Sequence, residues 1–207
     1  MSDGFKEHAR GAAGMILTGG KGARIGGDKA LAPFRGATLL DAVITRVGPQ
    51  VPVLALNVTA KTCAYFATYA ARHPLVPDDL PEGSGPLAGI VAGLDWLAAT
   101  ERGDWLATFP CDTPFLPADL VAQLMAQAGT APVAARAEGR SQGVCAVWPV
   151  GCRSRLREGV ESGAWRSLWG ALEHLGGVAC DVVSERDAFF NVNTAEDLQR
   201  AEEMAVR

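Results

Sequence analysis

Short runs of apolar residues alternate along the chain with stretches in which apolar residues recur at helical spacing. In the first half, the runs GMILTG, VPVLALN (ending at Asn57) and DWLATFP are typical of buried strands. Thr38 is a residue type that caps helices, and the apolar positions that follow it at helical spacing are Leu39, Leu40, Val43, Ile44 and Val47. A second helix is predicted to begin at Pro86 and to continue to Ala99.

The second half continues the alternation. Pro117 is predicted to open a helix with Leu120, Val121, Leu124 and Met125 on one face, and APVAARA and GVCAVW are predicted to form a strand pair. Helices are predicted around Arg153 and Trp165, then a strand at VACDVV and a last helix at NTAEDLQRAEEM. The order predicts an α/β fold: a mostly parallel sheet in three Rossmann-like layers. Ligands of such sheets bind beyond the carboxyl ends of the strands.

Length and composition favour one domain over residues 1–207, with residues 1–12 as a loose leader, because 207 residues at 48% hydrophobic content suffice for one core. A net charge of −4 argues against nucleic-acid binding. No apolar run approaches the roughly 18 residues that a membrane span needs. Five cysteines without a Cys-x-x-Cys spacing favour buried thiols in a reducing cytoplasm over disulfides or zinc.

The segment LTGGKGARIGGDKA, residues 17–30, combines five glycines with three cations and a single acid. Glycines allow backbone N–H groups to surround an anion, so the segment predicts a phosphate-binding loop. It is not a P-loop, because Met15 stands where the first glycine should be, and Gly22 follows Lys21 in place of Ser or Thr. It is not the dinucleotide fingerprint either, because Ile25 replaces the third glycine.

Three further motifs follow in order: PDDLPEGSGPLAG at 77–89, FPCDTPF at 109–115 and FFNVNTAEDL at 189–198. Together with the glycine-rich loop and Asn57, they closely resemble the molybdenum cofactor guanylyltransferase family of bacterial MobA-type enzymes, within the nucleotidyltransferase superfamily. The resemblance runs from about residue 13 to residue 204. It implies a Rossmann-like nucleotidyltransferase fold.

The resemblance also implies roles for single residues in nucleotide binding. Four residues fall where the family's Leu-Ala-Gly-Gly begins the nucleotide-binding loop, namely Leu17, Thr18, Gly19 and Gly20. Arg24 and Lys29 match the arginine and lysine that meet the triphosphate, and both are candidate catalytic residues. Asn57 and Asp78 match positions that hold the guanine nucleotide. Asp79 is adjacent, but the spacing to Gly85 favours Asp78.

The resemblance places Asp112 at the magnesium-binding and catalytic aspartate, and Asn193 at a second metal-directed position. The implied reaction transfers GMP from GTP to the phosphate of molybdopterin, or of its molybdenum-loaded form, and releases pyrophosphate. The implied partners are these two substrates, Mg²⁺ as cofactor, and transient contacts with proteins that deliver the pterin or mature molybdoenzymes. Such chemistry needs positioning and positive charge, and the acceptor phosphate needs no base because its second pKa is about 6.

Three alternatives remain open. Cytidylyltransferases for molybdopterin and sugar-phosphate nucleotidyltransferases share the loop architecture, although they usually carry Leu-Ala-Ala-Gly. A nucleotide-binding regulator without catalysis is a second alternative, disfavoured by the presence of both Lys29 and Asp112. The third is a serine hydrolase, because Gly139–Gly143 satisfies Gly-x-Ser-x-Gly around Ser141. The segment Arg140-Ser141-Gln142-Gly143 also departs from the family pattern on the side expected to face the acceptor.

Overall fold

The structure, a computed structural model, describes residues 11–19, 29–81 and 83–206. The strands in this part of the chain are β1 Ala12–Leu17, β2 Pro33–Phe34, β3 Ala37–Thr38, β4 Leu54–Val58, β5 Leu75–Pro77, β6 Trp105–Pro110, β7 Val133–Ala137, β8 Arg140–Pro149 and β9 Val178–Asp181. The helices are α1 Leu39–Val47, α2 Pro86–Thr100, α3 Leu120–Met125, α4 Arg153–Glu161, α5 Leu168–His174 and α6 Ala195–Met204. Short 3₁₀ segments lie at Lys29–Leu31, Gly48–Gln50, Cys63–Tyr69 and Val150–Cys152.

Seven of these strands form one sheet in the order β5-β4-β1-β6-β8-β7-β9. The first four are parallel to one another, β8 is antiparallel to both β6 and β7, and β9 is parallel to β7. The predicted mostly parallel α/β sheet is confirmed, and so is the predicted pairing of APVAARA with GVCAVW. β2 and β3 form a separate hairpin before α1.

The sheet is covered on both faces, which gives the predicted three layers. Alternate residues of β1 pack into different clusters, Ile16 on the side of α1 and α3 and Met15 on the side of α2, α4 and α5. Every residue of β1 is buried, as expected for a central parallel strand covered on both faces. The cluster around Met15 also contains Trp148, the largest fully buried side chain of the described residues, whose indole N–H donates to Thr108 Oγ1 at 3.1 Å.

Several predicted boundaries were wrong. The helix predicted to begin at Pro117 begins at Leu120, because the N–H of Leu120 closes a turn onto the Pro117 carbonyl at 3.3 Å. Trp165 precedes α5 and stacks on His174. β1 begins at Ala12, inside the range predicted as a leader, while residues 1–10 lie outside the described residues. The sequence pattern also missed β5, which is only three residues long.

Ser141 does not lie in the context that a nucleophile elbow requires. It is an exposed residue within β8, two residues after the left-handed Gly139 of the β7–β8 turn, and strand rather than helix follows it. The strand–turn–helix geometry that exposes a hydrolase serine is therefore absent around it. The serine-hydrolase alternative is wrong on this ground.

The strand register brings the carboxyl ends of β1, β4, β5 and β6 into one row. The motifs found in the sequence come directly after these strand ends. Leu17 of β1 pairs with Asn57 of β4 and with Pro110 of β6, and Asn57 pairs with Val76 of β5. The residues just beyond this row lie at one edge of the sheet. Across the described residues, no helix is long and apolar enough to cross a membrane.

Candidate nucleotide-binding site

The ammonium group of Lys29 lies at the centre of a polar cluster beyond β1 and β6. It forms an ion pair with the Asp112 carboxylate and donates to Asn193 Oδ1 at 2.7 Å and to Asn191 Oδ1 at 3.3 Å. The side chains of Lys29 and Asp112 are only 12% and 15% exposed. The pair is thus largely shielded from water, and its three oxygen partners match the three donors of an ammonium group.

The two asparagines reach Lys29 because the segment between them is extended and anchored. Val192 is fully buried, and its N–H donates to the Asp112 carbonyl at 2.9 Å. Since side chains alternate along an extended chain, burying Val192 directs Asn191 and Asn193 to the opposite side.

A capping box at the start of α6 fixes the end of this segment. Asp197 accepts the N–H groups of Asn193 and Thr194, each at 2.9 Å, and its own N–H donates to Thr194 Oγ1 at 3.1 Å. The hydrogen bonds that the carboxylate accepts, led by that from the Asn193 N–H, lower the pKa of Asp197. Thr194 and Asp197 thus form a complete capping box, with the shorter aspartate in the position that Glu or Gln usually takes.

A second polar group lies at the ends of β1, β4 and β5. Thr18 and Asn57 are buried, at 5% and 3% exposure, and the Thr18 hydroxyl donates to the Asn57 carbonyl. The Asn57 side chain donates to the Val76 carbonyl at 3.2 Å and lies close enough to the Asp78 carboxylate to act on its pKa. Asn57, predicted at the end of its strand, lies one residue before the end of β4.

Gly89 of α2 allows this arrangement. A Cβ at that position would lie 2.4 Å from Asn57 Oδ1 and 2.9 Å from Leu17 Cδ2, so only glycine lets α2 approach the strands this closely. The GPLAG motif therefore supplies both the start of α2 at Pro86 and the space that the Asn57 side chain occupies.

Asp78 and Asp79 have different surroundings. The pKa of Asp78 is raised, chiefly by desolvation and further by the charge of Asp79, while the hydrogen bond from Asn57 opposes the rise. Asp79 pairs instead with Arg157 of α4, whose Nη2 lies 3.1 Å from Asp79 Oδ1. Of the two acids, Asp78 is the one directed at the buried Asn57.

Of the remaining predicted site residues, two lie in the described part of the chain and two lie outside it. Leu17 ends β1 and is buried, and Gly19 is exposed just beyond it. Gly20 and Arg24 lie outside the described residues, as do the other members of the segment 20–28. Asn191 was not predicted, although the alternation Asn-Val-Asn in the sequence carried the signal.

The oxygen atoms around the Lys29 ammonium suit a hard cation. One carboxylate, from Asp112, and two amide oxygens, from Asn191 and Asn193, already surround a positive group. Mg²⁺ takes oxygen ligands and commonly uses one or two carboxylates together with phosphate oxygens and waters. Within the described ranges, no group of three or more His, Cys, Asp or Glu side chains could hold a metal on its own. These residues therefore fit Mg²⁺ that phosphate oxygens help to bind.

Comparison with known proteins identifies the kind of protein that carries this site. Residues 14–176 match the model of the MobA-like NTP transferase domain. The chain belongs to this family. A molybdenum cofactor guanylyltransferase from Acidiphilium cryptum is 39% identical over 98% of both chains. One from Bradyrhizobium sp. is 42% identical over 93% of this chain and 92% of that protein.

Solved structures show the same fold in other MobA-like and nucleotidyltransferase chains. Molybdopterin-guanine dinucleotide biosynthesis protein A from Archaeoglobus fulgidus superposes with a TM-score of 0.75 at 24% identity, over 94% of this chain and 98% of that one. A 4-diphosphocytidyl-2C-methyl-D-erythritol synthase from Anaerococcus prevotii superposes with a TM-score of 0.73 at 11% identity, over 96% and 97%. The nucleotidyltransferase fold predicted from the sequence is confirmed.

Proposed function

We propose that this chain is a molybdenum cofactor guanylyltransferase, which transfers GMP from GTP to the phosphate of molybdopterin and releases pyrophosphate. The observation that carries the proposal is the Lys29–Asp112 ion pair at the carboxyl edge between β1 and β6, in a member of the MobA-like family. The relatives with about 40% identity over nearly the whole chain bear the name of this activity.

The chemistry needs few protein groups. A phosphate oxygen of the acceptor attacks the α-phosphorus of GTP, a new P–O bond forms, and the bond to the bridging oxygen of the β-phosphate breaks. Lys29 neutralises charge on the phosphoryl oxygens, and Asp112 with the two asparagines holds its ammonium in place. Mg²⁺, held by Asp112 and Asn193 with phosphate oxygens, would supply further positive charge to the pyrophosphate leaving group.

The nucleotide moiety is assigned to the group formed by Thr18, Asn57 and Asp78. Asp78 is a hydrogen-bond acceptor close to Asn57, in the connection from β5 to α2. The N–H groups of guanine at its N1 and N2 are donors that such a carboxylate accepts. Cytosine presents a different edge, with an amino donor and no N1–H, so Asp78 favours guanine in this proposal.

The acceptor is assigned to a cavity of about 350 Å³ beside Asn191. It lies between the β7–β8 turn and the segment before α6, and its lining includes Arg140, Gln142 and Phe190. A guanidinium group suits an anionic phosphate, and an aromatic ring suits a flat pterin. This is the side on which the sequence departs from the family pattern.

The setting proposed for this reaction is the cytoplasm. The five cysteines carry thiols rather than disulfides, and four of them are buried, as expected in a reducing compartment. Contacts with proteins that deliver the pterin or receive the product are part of the same proposal.

Nucleotide titration by calorimetry with Mg²⁺ present tests the assignment. We expect GTP to bind more tightly than CTP, UTP or ATP, and Asp78→Ala to weaken GTP binding by about 10- to 100-fold, the cost of losing hydrogen bonds to a charged group. Glu202→Gln, an exposed carboxylate on α6, serves as the control and should bind GTP normally. A preference for CTP would assign the chain to the cytidylyltransferases, and equal binding of all four nucleotides would contradict the guanine assignment.

Gly89→Ala tests whether the Asn57 side chain supports nucleotide binding. The added Cβ must displace Asn57 Oδ1, so we expect a loss of about 1–3 kcal/mol of unfolding free energy, together with weaker GTP binding. Gly93→Ala is the matched control, because its Cβ would meet Leu106 at 2.7 Å, one helical turn further from the site. It should lower stability to a similar degree in a urea titration and leave GTP binding unchanged. Equal effects of the two variants on GTP binding would contradict the role of Asn57.

A further inference from the structure

Arg157 of α4 connects three separate parts of the chain. Its Nη2 donates to both carboxylate oxygens of Asp79, at 3.1 and 3.2 Å, and also to Asp95 of α2. Its Nη1 donates to Glu161 of its own helix at 2.8 Å. The guanidinium is thereby held by carboxylates from α2, α4 and the segment after β5.

The segment that Arg157 reaches is residues 78–85, the connection between β5 and α2. Several further contacts of its described residues are local, such as the bonds from the Ser84 N–H and hydroxyl to the Pro81 carbonyl at 3.3 and 2.9 Å, and two reach other parts of the chain. The N–H of Asp78 donates to the Val58 carbonyl at 3.1 Å, and Leu80 is partly buried against the core. Gly83 and Gly85 adopt positive φ values of 105° and 59°, a conformation that glycine adopts readily, and neither has a side chain that could pack against the rest of the protein. The ion pair at Asp79 ties the chain next to Asp78 to α4, a contact with a distant element that these other bonds do not provide.

Arg157 has a second effect on Asp78, through its charge. Asp78 and Asp79 are adjacent acids, and the charge of Asp79 raises the pKa of Asp78. The Arg157 guanidinium neutralises Asp79 and draws its carboxylate toward α4. A single side chain therefore both orients the segment and limits the repulsion between its two acids.

We propose that Arg157 is a positioning residue for the nucleotide: through its ion pair with Asp79, it holds residues 78–85 so that Asp78 remains against Asn57 and directed at the base of GTP. The proposal rests on the assignment of Asp78 to nucleotide binding. Arg157 itself lies on α4 and acts through Asp79, so it influences binding of GTP rather than the transfer step.

Replacing Arg157 tests this division between binding and chemistry. We expect Arg157→Gln to raise the KM and the Kd for GTP by about three- to tenfold, the range of coupling between contacting residues, while kcat stays within about twofold. Asp79→Asn should raise both constants to a similar degree. Arg157→Lys should raise them less, because it keeps the positive charge. Arg153→Gln is the matched control: Arg153 lies one turn earlier on α4 and pairs with Asp95 at 3.5 Å, and it should leave both constants unchanged.

A double-variant cycle with Asp78→Ala separates positioning from general stabilisation. If Arg157 acts through Asp78, Arg157→Gln has no further effect on GTP binding once Asp78 is alanine. Two results would overturn the inference. One is that Asp78→Ala weakens GTP binding but Arg157→Gln does not. The other is that Arg157→Gln weakens GTP binding by the same factor in the Asp78→Ala background as in the wild type. If Asp78→Ala leaves GTP binding unchanged, the assignment of Asp78 itself fails, and the inference fails with it. Melting temperatures of all variants show whether any change in Kd follows unfolding.

Discussion

Lys29→Met is expected to lower kcat/KM for guanylyl transfer by about a hundred- to thousandfold, the usual effect of removing one preorganised group that stabilises transition-state charge. Methionine keeps most of the volume of the lysine side chain and removes its charge. The loss should fall mainly on kcat, because the charge on the phosphoryl oxygens increases as the bond to pyrophosphate breaks. Steady-state rates of pyrophosphate release at saturating GTP measure it.

Two further variants control for side effects of this substitution. Lys29→Arg keeps the charge but carries a larger, planar head group into a cluster shaped by Asp112, Asn191 and Asn193, so we expect partial activity. Arg102→Met removes an exposed cation between α2 and β6, at the opposite edge of the sheet, and should be fully active. If Lys29→Met retains more than about a tenth of wild-type kcat, Lys29 does not contribute the charge that the proposed mechanism requires.

The unfolding free energy of Lys29→Met should also fall, by about 1–3 kcal/mol, because the largely shielded Asp112 carboxylate loses its countercharge. This stability effect is separable from catalysis. At a temperature well below the melting point of the variant, the fraction unfolded is negligible, so a lower kcat there reports the chemistry.

Much of the fold could be predicted because its central strands and two of its helix starts are marked by residues that lie close together in the sequence. β1 and β6 are continuous apolar runs, as strands covered on both faces must be, and Thr38 and Thr194 have the capping-box acids three residues on. β5 could not be predicted, because three residues, Leu75–Pro77, are too few to show a period. The strand VPVLALN was predicted to end at Asn57, but β4 continues to Val58, and the buried Asn57 amide donates to the Val76 carbonyl of the neighbouring strand.

The site was partly predictable for a different reason. Lys29, Asp112 and Asn193 were selected through the family resemblance, and the structure brings them into one cluster although 164 residues separate the first from the last. Contacts that depend on packing between distant elements gave no sequence signal. The ion pair of Asp79 with Arg157, 78 residues later, is one of them, since Arg157 belongs to no motif and nothing in the sequence links it to Asp79.

Asp112→Asn is expected to reduce kcat by about a thousandfold, because it removes the carboxylate that pairs with the Lys29 ammonium and that the proposed mechanism also assigns to Mg²⁺. Asparagine keeps the shape of the side chain and one oxygen, so the variant should fold. The concentration of Mg²⁺ for half-maximal activity should rise as well, whereas Lys29→Met should leave it nearly unchanged. Glu202→Gln, with its carboxylate exposed on α6, controls for the general effect of one lost negative charge.

The double variant Lys29→Met with Asp112→Asn distinguishes a catalytic pair from a structural one. If the pair served only to neutralise two shielded charges, removing both would restore the stability lost in Lys29→Met and would restore activity with it. If Asp112 binds Mg²⁺ and Lys29 stabilises phosphoryl charge, the double variant recovers stability but not activity. Its activity should equal that of the less active single variant or be lower still. Recovery of both properties would leave the ion pair with a structural role and would remove the main support for metal binding at Asp112.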